Sequence, residues 1–119
     1  PMEPLRPHLP GVLQAQDMMT QPNGKRVHLA GLVLARQRPG TARGVVFVTL
    51  EDETGTANLI VWSDVFERYR RDVFTARLLK VQGRLHFEAV LTRVYGAMIT
   101  VNFCKWLTNI DLTSTQPPV

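Results

Sequence analysis

The order of segments between Val27 and Trp62 constrains this chain more than anything else in it. An apolar stretch from Val27 to Leu34 is followed by RQRPGTARG from Arg36 to Gly44, which contains Pro39-Gly40 and no large apolar residue. A β-branched run from Val45 to Leu50, an acidic turn from Glu51 to Gly55 and a third apolar stretch from Thr56 to Trp62 complete the unit. Short apolar runs bounded by Gly and Pro read as strands, and the brief acidic turn reads as a hairpin connection. In the first strand Val27, Leu29, Gly31 and Val33 alternate with His28, Ala30, Leu32 and Leu34. Both faces are therefore largely apolar, as in a barrel strand covered on one side by another element. Gly31 permits a sharp bend there or the close approach of another backbone.

Downstream the period changes twice. Ser63 or Asp64 can cap a helix in which Val65, Phe66, Tyr69 and Val73 recur at helical spacing, giving it one apolar side with which to plug a barrel end. From Leu79 to Glu88 the period is two, with Leu79, Val81, Gly83, Leu85 and Phe87 on one face and Lys80, Gln82, Arg84, His86 and Glu88 on the other. Ala97 to Cys104 alternates again, with Ile99, Val101 and Phe103 expected inward and Thr100 and Asn102 outward. The resulting order β-β-β-α-β-β predicts an all-β chain with one or two helices, arranged as an OB-fold, a five-stranded Greek-key barrel. In that fold strands 2 and 3 and loops 1-2 and 4-5 contact oligonucleotides. The inserted helix separates it from an SH3-like barrel.

Length and composition bound the remainder. A chain of 119 residues has room for one domain with a core, and 45% hydrophobic with 20% charged residues is a folding composition. No run approaches the ~18 apolar residues of a membrane span. Pro1, Pro4, Pro7 and Pro10 interrupt the place where a signal peptide would carry its apolar region, so a cytoplasmic location is expected and no membrane partner. Those prolines make the first segment extended. Gly11 to Thr20 can form a short helix with Val12, Leu13 and Met19 on one side, ended by Pro22 and the Asn23-Gly24 turn. Residues 1–24 thus read as linker and short helix, 25–112 as the barrel domain and 113–119 as a loose tail.

Charge gives the first functional pointer. The net charge of +4 favours anionic partners, and its distribution says more. Lys25, Arg26, Arg36, Arg38 and Arg43 occur with no intervening acid, whereas Glu51, Asp52 and Glu53 stand together just beyond. Adjacent carboxylates leading into Thr54-Gly55 fit a turn better than a metal site. One cysteine, Cys104, and three scattered histidines offer neither an internal disulfide nor zinc spacing. Arg68, Arg70 and Arg71 are diluted by Glu67 and Asp72 and read as a solvated helix face.

Single-stranded nucleic acid requires cations along its phosphates and flat surfaces for its bases. Arg36, Arg38 and Arg43 on the loop joining strands 1 and 2 can pair with phosphates or stack on bases, or simply keep the loop soluble. Phe47, in the middle of strand 2, can stack on a base if Val46 and Val48 supply the core-facing side, or belong to the core if they do not. Trp62 ends strand 3 and fits packing better than stacking. Lys80, Arg84 and His86 share the outer face of strand 4 and can extend a basic track. No nucleophile with a nearby base is visible, so the chain alone is not expected to be an enzyme.

The stretch VHLAGLVLARQRPGTARGVVFVTLEDETGTANLIVWSDVFERYRR, Val27 to Arg71, resembles the C-terminal OB-fold region of bacterial error-prone DNA polymerases, C-family enzymes related to the replicative polymerase III alpha subunit. LVLARQRPGTARGVVFVTLEDETG, then NLIVW and VFERYRR, carry most of the likeness, and PLRPHL from Pro4 to Leu9 resembles the connector before that domain. The shorter FVTLEDETG is shared with OB-folds that bind anticodons in aminoacyl-tRNA synthetases, where the aromatic matching Phe47 contacts a base. The likeness covers Pro4 to Leu85, and residues 85–104 diverge before KWLTNIDLTS recovers some of it. The resemblance implies a parent that copies DNA past lesions, in translesion synthesis and repair, with magnesium-bound carboxylates in a palm domain. That palm is not in this sequence, so no cofactor and no polymerase activity are expected of the chain by itself. The expected partner is single-stranded DNA, with other polymerase domains or translesion-synthesis proteins beside it. The alternative is a protein-interaction tether, using Tyr69 and the arginine-rich helix, whose basic charge is incidental.

Overall fold

The computed structural model describes residues 11–38, 44–90 and 94–107, with side chains described except at 88–90 and 94–96. Five strands close into a barrel: β1 (Arg26–Gln37), β2 (Val46–Asp52), β3 (Gly55–Val61), β4 (Leu78–Val90) and β5 (Val94–Trp106), in the spatial order β1-β2-β3-β5-β4. β3 and β5 pair in parallel, and β1 with β2, β2 with β3, β1 with β4 and β4 with β5 pair antiparallel. Between β3 and β4 lie two short helices, α1 (Ser63–Arg68) and α2 (Arg70–Thr75). The OB-fold expected from the segment order is the fold observed.

Alternation explains which side chains fill the barrel. Leu29, Val46, Val48, Leu50, Leu59, Val61, Leu79, Val81, Leu85 and Ile99 are all essentially inaccessible and form one cluster. Each such Leu, Ile or Val contributes about 1.5–3 kcal/mol relative to leaving it in water. Phe66 from α1 and Val73 from α2 belong to the same cluster, so the helical segment plugs the barrel as its apolar spacing predicted. The single helix expected there is interrupted at Tyr69, and neither Ser63 nor Asp64 caps it, because Trp62 occupies the N-cap position without a side-chain bond.

Two glycines have geometric work. A Cβ on Gly31 would lie 2.6 Å from the Glu51 carbonyl oxygen, so the close approach expected at this position is real and is made by β2. Gly24 turns the chain into β1 with φ of 86°, a conformation that favours glycine.

Three expectations need correction. In β5 a bulge opposite Gln82 and Gly83 shifts the alternation, so Cys104 enters the core and Phe103 is only half-buried against the helices, at 5.5 Å from Tyr69 edge to face. Tyr69 is accordingly half-buried, not free. In the first segment a 3-10 helix, Ala15–Thr20, buries Ala15 and Met18 and leaves Met19 57% exposed, because the tighter 3-10 turn rotates the apolar side away from where α-helical spacing put it. This segment also packs on the barrel, with Met18 in the main core cluster and the Leu13 N–H donating to the His28 carbonyl at 2.7 Å. It is a part of the barrel domain more than a linker. Residues 1–10 and 108–119, including the expected tail, lie outside the described residues.

Candidate nucleic-acid interface

β2 resolves the orientation of Phe47. Val46, Val48 and Leu50 point into the barrel, so Phe47 and Thr49 point out, each half-buried. By register Phe47 stands between Gln37 of β1 and Ile60 of β3, and it packs on an outer cluster of Val45, Ile60 and Met98. A compact apolar patch therefore lies on the outer surface of β2, β3 and β5, with Phe47 as its most accessible member. Beside it the Thr49 hydroxyl lies 3.3 Å from Asn58 Oδ1, placing polar groups at the patch edge.

Following the sheet around the barrel leads from this patch to cations. Met98 pairs with His86 and Thr100 with Arg84 across β5 and β4. His86 Nδ1 is 3.4 Å from the Thr100 hydroxyl, and Arg84 donates through Nη1 to the Gly24 carbonyl at 2.9 Å. Between these groups is an open cleft of about 420 Å³ lined by Gly24, Arg84, His86, Thr100 and Asn102 among others. Lys80, half-buried, shares the outward face of β4 with Arg84 and His86, as the alternation predicted.

The arginines expected on the first loop separate. Arg36 is within β1, not on a loop, and is turned toward the helices: its Nε donates to the Val73 carbonyl at 2.6 Å and its Nη2 to the Ala76 carbonyl. The last carbonyls of a helix have no partner within it, and a guanidinium placed there satisfies them and complements the helix dipole. Arg38 is exposed, with its guanidinium 4.9 Å above the Phe66 ring, where Arg70 also sits at 5.0 Å. Arg70 pairs with Glu67, and that hydrogen bond, backed by the charges of Arg70 and Arg38, holds the Glu67 carboxyl below its usual range. The arginine-rich helix is thus partly self-neutralised. Arg43 lies outside the described residues.

The acidic turn is structural. Asp52, buried, accepts the Ala15 N–H at 2.8 Å through Oδ2, and through Oδ1 the Thr54 N–H at 2.7 Å, the Thr54 hydroxyl at 2.6 Å and the Gly55 N–H at 3.1 Å. Gln14 reaches Glu53 at 3.2 Å, and the Gln16 N–H reaches the Thr54 hydroxyl at 3.0 Å. The carboxylates fasten the 3-10 segment to the β2–β3 hairpin. Among the described residues no three His, Cys, Asp or Glu side chains gather where they could hold a metal ion.

Sequence reasoning did not single out Ile60 and Met98, which complete the Phe47 patch. Their signal was present only as outward positions on β3 and β5. Trp62, expected to pack, is 50% exposed just after β3.

The barrel thus carries an outward apolar patch beside a row of cations, and comparison with known proteins places its fold in a family. Residues 27–99 match the OB-fold nucleic acid binding domain, and the chain belongs to that family. It is 51% identical over 84 residues to error-prone DNA polymerase 1 of Rhizobium meliloti, a match covering 71% of this chain and 8% of the polymerase. It is 48% identical over 99 residues to the error-prone DNA polymerase of Ruegeria pomeroyi, covering 83% of this chain and 9% of that protein. The chain therefore spans less than a tenth of these relatives. Asparaginyl-tRNA synthetase from Pyrococcus horikoshii, complexed with asparaginyl-adenylate, superposes with a TM-score of 0.64 at 23% identity, over 83% of this chain and 23% of that one, and shares its fold.

Proposed function

We propose that this chain is a single-stranded-DNA-binding module of an error-prone DNA polymerase acting in translesion synthesis and repair, holding the template ahead of the active site without sequence preference. One observation carries the reading: an outward apolar patch with an accessible Phe47 runs directly into Arg84 and His86 on an OB barrel about half identical to error-prone polymerases. Bases stack on the patch and phosphates pair with the cations. Within this reading Phe47, Lys80, Arg84 and His86 contact DNA, Arg38 and Arg43 steer it, and Arg36 supports the barrel. Nucleotide addition and its magnesium belong to regions of the cytoplasmic parent outside this chain.

The test is fluorescence anisotropy with a labelled oligonucleotide of about 20 nucleotides, longer than the ~4–16 that one OB barrel covers. Binding is expected at about 50 mM salt and should weaken steeply by about 200 mM. The exposed Leu34, Trp62, Phe74 and Trp106 favour a second reading, in which the barrel tethers the polymerase to a protein partner. Absence of DNA binding at low salt would select it.

A further inference from the structure

The barrel surface is electrically two-sided. Around β1, β4 and β5 no acid occurs at 26–37, 78–87 or 97–107 and Glu88 follows only toward the far end of β4, whereas the hairpin joining β2 and β3 holds Glu51, Asp52 and Glu53. On the first side like charges face each other across the ladder: Arg26 is the direct partner of Arg84, and Lys80 of Lys105. Like charges directly opposite on neighbouring strands destabilise a sheet unless something of opposite sign lies between or above them. Arg26 and Arg84 are both exposed, and no described acid pairs with either. The bond from Arg84 to the Gly24 carbonyl holds its guanidinium at the turn that begins β1, beside the cleft lined by Asn23, His86 and Thr100.

We propose that the β1–β4 seam, centred on Arg26 and Arg84 with Lys80 further along, is a phosphodiester-binding site that takes the DNA strand after it leaves the Phe47 patch. The proposal rests on the single-stranded-DNA reading above and adds a path to it. With neighbouring strands ~4.8 Å apart, Arg84 is three strands and ~14 Å from Phe47 around the surface, and Arg26 one strand more. Gln82 and its register partner His28 lie between Lys80 and the arginine pair on these two strands, and the half-buried His28 imidazole is the one ring along that stretch. The seam reads phosphate charge through Arg26, Arg84 and Lys80. A strand bound this way wraps from β2 across β3 and β5 to β4 and β1, so only oligonucleotides long enough to span that arc reach the arginines.

The experiment compares the chain with its Arg26→Gln/Arg84→Gln variant, using oligodeoxythymidines of about 2 and about 20 nucleotides: at ~3.4 Å or more per nucleotide the first falls short of the ~14 Å arc and the second spans it. For the long strand the variant should bind about tenfold more weakly, and the slope of log affinity against log salt should shrink by about 1.4, two contacts at ~0.7 each. For the short strand affinity should be unchanged. The melting temperature at low salt should hold or rise, since the opposed charges are gone. Where the double variant melts lower, Arg26→Gln alone carries the test, because its side chain has no described hydrogen bond; a loss of about threefold on the long strand is then expected. Equal affinity and slope for variant and parent, an equal loss on both lengths, or a loss seen with duplex but not single strands would overturn the site. If the unaltered chain binds no single strand, the failure lies in the underlying DNA reading.

Discussion

The hairpin turn of β2 and β3 and the seam of β1 and β4 carry opposite charges and use them in opposite ways. At the turn Asp52 is buried and every described contact of its carboxylate is to groups of this chain, two of them backbone N–H donors of its own turn and a third that of Ala15. At the seam Arg26 and Arg84 face one another and are exposed. Where unsatisfied backbone groups are within reach, a charge is consumed in holding the fold, as one Arg84 donor is by the Gly24 carbonyl; where the ladder has already satisfied the backbone, as at Arg26, it is left for a ligand. Arg36 shows the rule on the basic side, since the free carbonyls ending α2 claim it.

The comparison can be broken most easily at Asp52. Asp52→Ala leaves three buried or half-buried N–H groups without their acceptor and should lower stability by about 3 kcal/mol, read from urea unfolding. A loss under about 0.5 kcal/mol would mean the turn charge does not hold the fold. Next, Phe47→Ala should weaken single-strand binding by about 1–3 kcal/mol, one stacked base, with unfolding almost unchanged because the ring packs on the outer cluster and not in the barrel. Wholesale unfolding would place it in the core after all. Arg36→Ala should cost about 1–2 kcal/mol of stability and little DNA affinity, while Arg38→Ala should do the reverse. Identical profiles for the two would erase the distinction between consumed and available charge.

The smallest effect concerns the core. Burial, with the charge of Asp72 behind it, pushes the Cys104 thiol up to about 12 from an ordinary value of 9.0. The folded-state value is raised, so the contribution of the buried thiol is fully present below about pH 9 and is lost as pH climbs toward 12. The urea midpoint should be flat through neutral pH and fall above that threshold, and a thiol reagent near pH 8 should react only once urea is added. Rapid labelling of the folded chain would contradict the packing of β5.

Strand faces were legible because a period of two assigns each side chain without knowledge of its partners: the interior of β4 and the outward set Lys80, Arg84 and His86 followed directly. The same logic left Phe47 with two orientations, since Val46 and Val48 alone do not say which side is the barrel. Bulges were not legible. The slip opposite Gln82 and Gly83 arises from pairing between β4 and β5, and it exchanges Phe103 for Cys104 in the core. Nor could Arg36 be assigned, because its acceptors are carbonyls of Val73 and Ala76, far along the chain. Lys25 and Arg26 were visible as charge, but their value came from the register that sets Arg26 against Arg84.

Chemical-shift mapping of the labelled chain titrated with an oligodeoxythymidine of about 20 nucleotides tests the central claim most directly, because it reports where the strand lies. Perturbations are expected to run from Phe47 and Ile60 through Met98, Thr100 and His86 to Arg84 and Arg26, with α1 and α2 quiet. Perturbations confined to Arg38, Arg70 and Trp106 on the helical side, with the patch silent, would contradict it.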